Sequence, residues 1–179
     1  MNLTKQPPRR PSNLSISGIV GLARMTDKAR AYNNETLGEY LYGGASGLDR
    51  KILDFLSISD EQFSETVEEY DDHTLGTWVT EQSTRTISEI EEFNQRELSI
   101  EPQTEEYRQR LKERLANYAP ERTDIKTVLQ SVELDDWGNF WQLDLTKQPP
   151  RSPYNRDIAG IFGTARMAEK ARAARADKI

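Results

Sequence analysis

The sequence predicts an all-α protein: a compact domain of short, mostly orthogonal helices, followed by a C-terminal repeated arm-plus-helix. Three observations predict this. Apolar residues recur at i, i+3, i+4 and i+7 through most of the chain. Ser59 with Gln62, and Thr86 with Glu89, have the spacing of capping boxes just before such runs. Strand-type alternation of apolar and polar residues extends over no useful length.

The first element is an arm, LTKQPPR and the residues after it, in which proline rings fix φ and disfavour helix in the residue before them. A helix over most of 14–31 is expected next, from the stripe Ile16, Ile19, Val20 and Ala23, with Asn13 or Ser15 as its cap. Gly18 and Gly21 fall inside it and suggest close backbone approach to a neighbour. Asn34 is read as the cap of a short helix through Glu35–Tyr42, broken by Gly43, Gly44 and Gly47. Leu48, Ile52, Phe55 and Leu56 then form one face. Phe63, Val67 and Tyr70 follow, and then Leu75, Trp78 and Val79. Ile87, Ile90, Phe93 and Leu98 make the next face, and Tyr107, Leu111, Leu115 and Tyr118 the clearest one, ended by Pro120. Thr123 is expected to cap a last helix carrying Ile125, Val128, Leu129 and Val132. The joint DDWGNFWQL, residues 135–143, carries too many aromatics for a free linker and is expected to pack.

Residues 2–31 recur as residues 144–173, without a gap and with 20 of 30 positions identical. The second copy carries Ile158, Ile161, Phe162 and Ala165 at the same helical spacing, so a helix over most of 156–173 is expected. About thirty residues bury too little surface to fold alone, so this copy needs something to dock on. The domain boundaries that follow are 1–138 for a helical domain and 139–179 for the aromatic joint with the partial repeat.

The chain has 179 residues, 35% hydrophobic and 30% charged, which suits one ordinary domain with an appendage or two small domains. It has no cysteine, which excludes a disulfide framework, a thiolate zinc site, an iron–sulfur cluster and a cysteine nucleophile. No apolar run is long enough to span a bilayer, and Pro7, Pro8 and Pro11 interrupt the place of a secretory signal, so a cytoplasmic protein is expected. The net charge of −6 is unevenly spread. Residues 1–34 hold six Lys/Arg against one acid, 35–143 ten against twenty-five, and 144–179 eight against four. An acidic body repels phosphate, so nucleic acid is disfavoured as a partner, and the basic ends are read as docking on acidic surface within or between chains.

Motifs for chemistry are weak. His73 is the single histidine and stands beside Asp71 and Asp72, where a solvated or capping role outweighs a general base. The loop YGGASGLDR precedes a helix and resembles an anion cradle, but it has neither the P-loop ending nor a GxSxG pattern. Ser46 reads as a cap rather than a nucleophile. The acids of residues 60–72 lack the spacing of a calcium loop and read as a solvated face. Lys5, Pro8 and Pro11, repeated as Lys147, Pro150 and Pro153, match a polyproline-groove ligand, although an arm wrapping its own domain explains them better. No cofactor and no metal are expected.

Four stretches carry a family likeness: LTKQPPRRP, GIVGLARMTDKARA, ETLGEYLYGGASGLDRKILDFLSIS and ERTDIKTVLQSVELDDW. Through them, residues 2 to about 138 resemble DUF5069, an uncharacterised bacterial family of domains of unknown function. The resemblance implies a compact helical domain and no particular activity. The C-terminal copy looks like the start of a second such domain, cut off after its first helix.

A non-catalytic interaction or regulatory module is therefore expected, binding itself or another protein through the repeated arm-helix. Its candidate partner-binding residues are Arg9, Arg10, Arg151, Ile158, Ile161 and Phe162. The alternative is a small-molecule-binding domain or enzyme with a pocket near Tyr40, Tyr42, Gly43, Gly44, Ser46, Asp49 and Arg50.

Overall fold

The computed structural model describes residues 1–140, together with 159, 161 and 163–168. Every regular element among them is helical. In order these are α1 (Leu22–Asn33), a 3-10 turn (Gly43–Ala45), α2 (Gly47–Leu56), α3 (Asp60–Glu69), α4 (Asp72–Ser83), α5 (Ile87–Ser99), α6 (Glu105–Tyr118) and α7 (Val128–Phe140). The chain forms two compact units, Met1–Ser99 and Ile100–Ile179. No helix among the described residues is long and apolar enough to cross a membrane.

In the first unit the arm is irregular and wraps its own core. Leu3, Pro8 and Pro11 are buried, the Leu3 N–H donates to the Thr36 carbonyl, and the Gly21 N–H to the Pro11 carbonyl. The buried prolines leave the first arm unfit as a ligand for a polyproline groove.

The helix expected from residue 14 begins only at Leu22. Ser17, Gly18 and Gly21 have φ of 49°, 66° and 80°, and left-handed residues break the α-helical ladder. Tight turns replace it, with Ile19 N–H donating to Ile16 O and Leu22 N–H to Ile19 O. The stripe Ile16, Ile19, Val20 and Ala23 is still wholly buried. Gly21 allows the close approach its repetition suggested, since a Cβ there would lie 2.8 Å from Ile52 Cδ1.

Residues 35–42 are not helical either. Asn34 ends α1 rather than opening a helix, and Glu35 and Gly38 take φ of 54° and 66°. Ser46, Ser59 and Asp71 cap α2, α3 and α4, each side chain accepting a backbone N–H three residues on. Thr86 and Glu89 form the expected capping box before α5.

Helix α1 packs on α2 and α3, and α2 packs on α4. Their shared core holds Met25, Ile52, Leu56, Phe63, Val67, Leu75, Val79 and Phe93, with Trp78 packed against it. Phe55 stacks on Phe93 with ring centroids 4.3 Å apart. Ile87, expected inward, is 78% exposed because it is the first residue of α5, one turn before the buried face begins.

The second unit is built on α6 and α7, which pack together. Thr104 caps α6. The last helix starts at Val128 rather than after Thr123, because Gln130 Oε1 accepts the N–H groups of Lys126 and Thr127 and Thr127 Oγ1 accepts that of Gln130. Ala119, Ile125 and Leu134 are buried, while Leu111, Leu115 and Tyr118 are partly buried against them. Tyr107, read as inward, is 47% exposed. The aromatic joint packs as far as it is described: residues 135–140 continue α7, and Trp137 is buried.

Candidate functional site

The glycine loop and α2 enclose a buried charged centre. Lys28, on α1, points its ammonium at Asp49 Oδ1 at 2.6 Å, with side chains 4% and 0% exposed. Lys28 Nζ also donates to the Leu41 carbonyl at 3.0 Å and to Ser46 Oγ at 3.1 Å. Asp49 Oδ2 accepts the Gly43 N–H at 3.2 Å. Burial pushes the Asp49 carboxyl above its ordinary range, although the Lys28 charge and hydrogen bond oppose the shift. Ser46 Oγ accepts from both Lys28 and the Asp49 N–H, so it serves as a cap and a ligand for the ammonium. These groups satisfy one another, as a buried ion pair must if it is to persist.

Beside this centre lies an open depression of about 500 Å³ lined by Tyr32, Tyr42, Ala45, Asp60, Glu61, Ser64 and Glu65. The two tyrosine rings lie 5.3 Å apart at 34°. Tyr42 donates its hydroxyl proton to the Asp60 carbonyl, and Asp60 Oδ2 accepts the Gly44 N–H. Burial and the nearby carboxylates of Asp49, Asp60 and Glu61 push the Tyr42 phenol well above its ordinary range. The Gly44 N–H, aided by a hydrogen bond with Glu61, holds Asp60 below the usual carboxylate range.

The arm is clamped by a third cluster. Arg9 bonds both carboxylate oxygens of buried Asp27 and reaches Asp72, and its own N–H also donates to Asp27. Arg30 pairs with Asp72 and donates to the Val67 and Tyr70 carbonyls at the end of α3. Arg24 donates to the Arg9 carbonyl and lies over the Tyr40 ring at 5.3 Å.

Of the expected pocket residues, Tyr42, Gly43, Gly44, Ser46 and Asp49 come together. Arg50 is exposed on α2, and Tyr40 is engaged by Arg24 instead. Arg9 and the half-buried Arg10 belong to the arm, and Arg9 is committed to its own domain. Ile161 is 60% exposed. Arg151, Ile158 and Phe162 lie outside the described residues. His73 lies in the first turn of α4, lining a second open depression with Ser15, Ser17, Asp72, Gly76 and Thr77.

Sequence reasoning missed Tyr32 and did not place Lys28 or Asp60 at this site. Lys28 stands among charged and polar residues of α1, Asp27 and Arg30 beside it, so nothing in its neighbourhood signalled a buried partner. Nothing in the sequence joins Tyr32 to Tyr42, since the non-helical turn over 34–42 brings them together.

Several described residues of 159–168 share backbone geometry with their counterparts in 17–26. Ala159 and Gly163 have φ of 57° and 74°, as Ser17 and Gly21 have 49° and 80°. Met167 N–H donates to Gly163 O at 2.8 Å, as Met25 does to Gly21 O at 2.9 Å. Helix begins again one residue after the second glycine.

Fold and centre together define a small all-α domain whose buried charges hold its own loop and arm, with a tyrosine-lined acidic face left open. Residues 5–137 match the family model described as a domain of unknown function, DUF5069, and the chain belongs to that family. No curated protein matches the sequence.

Proposed function

We propose that the chain is a non-catalytic interaction module that associates with a second copy of itself through its C-terminal arm-plus-helix. One contrast carries the reading: the described residues of 159–167 share backbone turns with their counterparts in 17–25, and Ala165 is buried as Ala23 is, but two larger apolar side chains are not. Ile19 and Met25 are 1% and 0% exposed, whereas their counterparts Ile161 and Met167 are 60% and 66% exposed. A segment shaped for an apolar groove thus holds two groove-facing side chains in solvent, where contiguous apolar surface is costly.

The groove that fits this shape exists in the same sequence. In the first unit, Ile52 and Leu48 meet Gly21, and the Asn94 side chain bonds the Gly18 carbonyl and the Val20 N–H. In a second copy that groove is filled by its own Ile16–Ala23 segment, so docking there is an exchange of similar elements, a low-cost route to dimers. Two residues of the alternative pocket are engaged within the fold: Ser46 caps α2 and Asp49 pairs with Lys28.

Removing residues 144–179 tests the proposal by solution mass. The full chain is expected as a dimer and the truncated chain as a monomer. A monomeric full chain, or an unchanged mass on truncation, overturns it.

A further inference from the structure

We propose that the depression bordered by the Tyr32–Tyr42 pair is a binding site for a soft organic cation, a quaternary ammonium or guanidinium group. The proposal is independent of self-association.

The walls carry the chemistry. Tyr32, from the last turn of α1, is 57% exposed. Tyr42, from the glycine loop, is held in place through its hydroxyl by the Asp60 carbonyl at 3.0 Å. Their rings pack on each other, 5.3 Å between centroids and tilted by 34°, so a cation would lie on the outer aromatic surface that borders the depression, where Tyr32 is exposed, and not between the rings. The π faces of such rings carry negative potential and attract a desolvatable cation. Asp60, Glu61 and Glu65 complete the lining, and among the described residues no Lys or Arg forms an ion pair with any of them.

The geometry also selects between kinds of cation. Among the described residues no three carboxylate or imidazole groups converge closely enough to hold a metal ion. A small hard cation demands several oxygen ligands at short range and keeps its water tightly. A large, weakly hydrated cation needs only diffuse negative potential and a flat apolar face, and the depression supplies both. Ser64 adds a polar contact on the rim, and the open volume of about 500 Å³ admits a group larger than one hydrated ion.

The test is a titration of the isotope-labelled full chain with tetramethylammonium chloride and with arginine amide, followed by amide chemical shifts. Sodium chloride at matched ionic strength is the control. Saturable shifts at Tyr32, Tyr42, Glu61 and Ser64 are expected with the organic cations and not with sodium. Tyr32→Ala removes an exposed ring that packs on Tyr42, and should weaken binding by about fivefold to thirtyfold while leaving the amide spectrum away from the depression unchanged. Glu61→Gln combined with Glu65→Gln should weaken it as well. A response to arginine amide alone narrows the ligand to guanidinium, and a response to tetramethylammonium alone narrows it to quaternary ammonium. The proposal is overturned if neither cation gives saturable shifts there, if sodium gives the same shifts, or if Tyr32→Ala binds as the parent does.

Discussion

Lys28 and Asp49 show how one residue pair organises a loop. The pair is buried, and Lys28 also gathers Leu41 O and Ser46 Oγ, so the glycine loop closes around a single ammonium. Removing one partner of such a pair leaves an uncompensated buried charge. Lys28→Met is therefore expected to lower unfolding free energy by about 3–5 kcal/mol at neutral pH, measured by urea denaturation. The loss should depend on pH in a definite direction. Burial already raises the Asp49 carboxyl in the folded state, and deleting the opposing Lys28 charge raises it further. A carboxyl with a folded pKa above its unfolded one binds more protons when folded, so the stability of the variant falls as pH rises through that window. The deficit against the parent should shrink on acidification, and Lys28→Met combined with Asp49→Leu should recover most of it. An equal deficit at all pH values would mean that Asp49 stays charged without Lys28.

At the scale of elements, the turn that precedes α1 and the clamp that holds the arm are the decisive features. Gly21 has a left-handed φ and faces Ile52 and Leu48 at contact distance. Gly21→Ala combines backbone strain with overpacking and should cost about 1–3 kcal/mol, read as a lower urea midpoint with an unchanged slope. Asp72 joins Arg9 of the arm to Arg30 of α1. Burial raises its carboxyl, but the hydrogen bonds and charges of the two guanidiniums outweigh that and hold it below the ordinary range. A depressed carboxyl contributes stability that is present above its unfolded pKa and is lost as pH falls through its folded pKa. Asp72→Asn should thus lose stability at neutral pH and show a shallower decline in acid than the parent, with the arm more readily cleaved by protease. Asp71, next in sequence, is also held low, by the Thr74 N–H and hydroxyl at the cap of α4, and it keeps its part of the acid decline in the variant. The helical faces were legible because buried apolar stripes impose their period on the sequence, as Phe63, Val67, Leu75 and Val79 show. The start of α1 was not legible, because Ile16, Ile19 and Val20 are buried at helical spacing by a chain that turns instead of winding.

For the whole molecule the question is what covers the C-terminal copy. Ile161 is exposed, so its substitution leaves the described core intact. Ile161→Asp is expected to weaken self-association about tenfold or more, measured by sedimentation equilibrium, because burying an unpaired carboxylate in an apolar groove costs more than the lost isoleucine contact alone. Its thermal stability at a concentration where the parent is monomeric should match the parent's. A variant that associates as tightly as the parent would place the interface elsewhere.

The sequence by itself determined the helical class, the capping residues of α2, α3 and α5, most of the apolar faces of the first unit and the recurrence of residues 2–31 as 144–173. Each of these is written locally, in a period, a cap spacing or a repeated string. Only the tertiary structure decided that Lys28 meets Asp49, that Ser46 is committed as both cap and ammonium ligand, and that Tyr32 packs on Tyr42 at the edge of an acidic depression. These pairings join residues separated by 10 to 21 positions through left-handed turns at Glu35, Gly38 and Gly43. A left-handed residue redirects the chain without leaving a periodic trace, so the partners it brings together are set by packing and not by spacing.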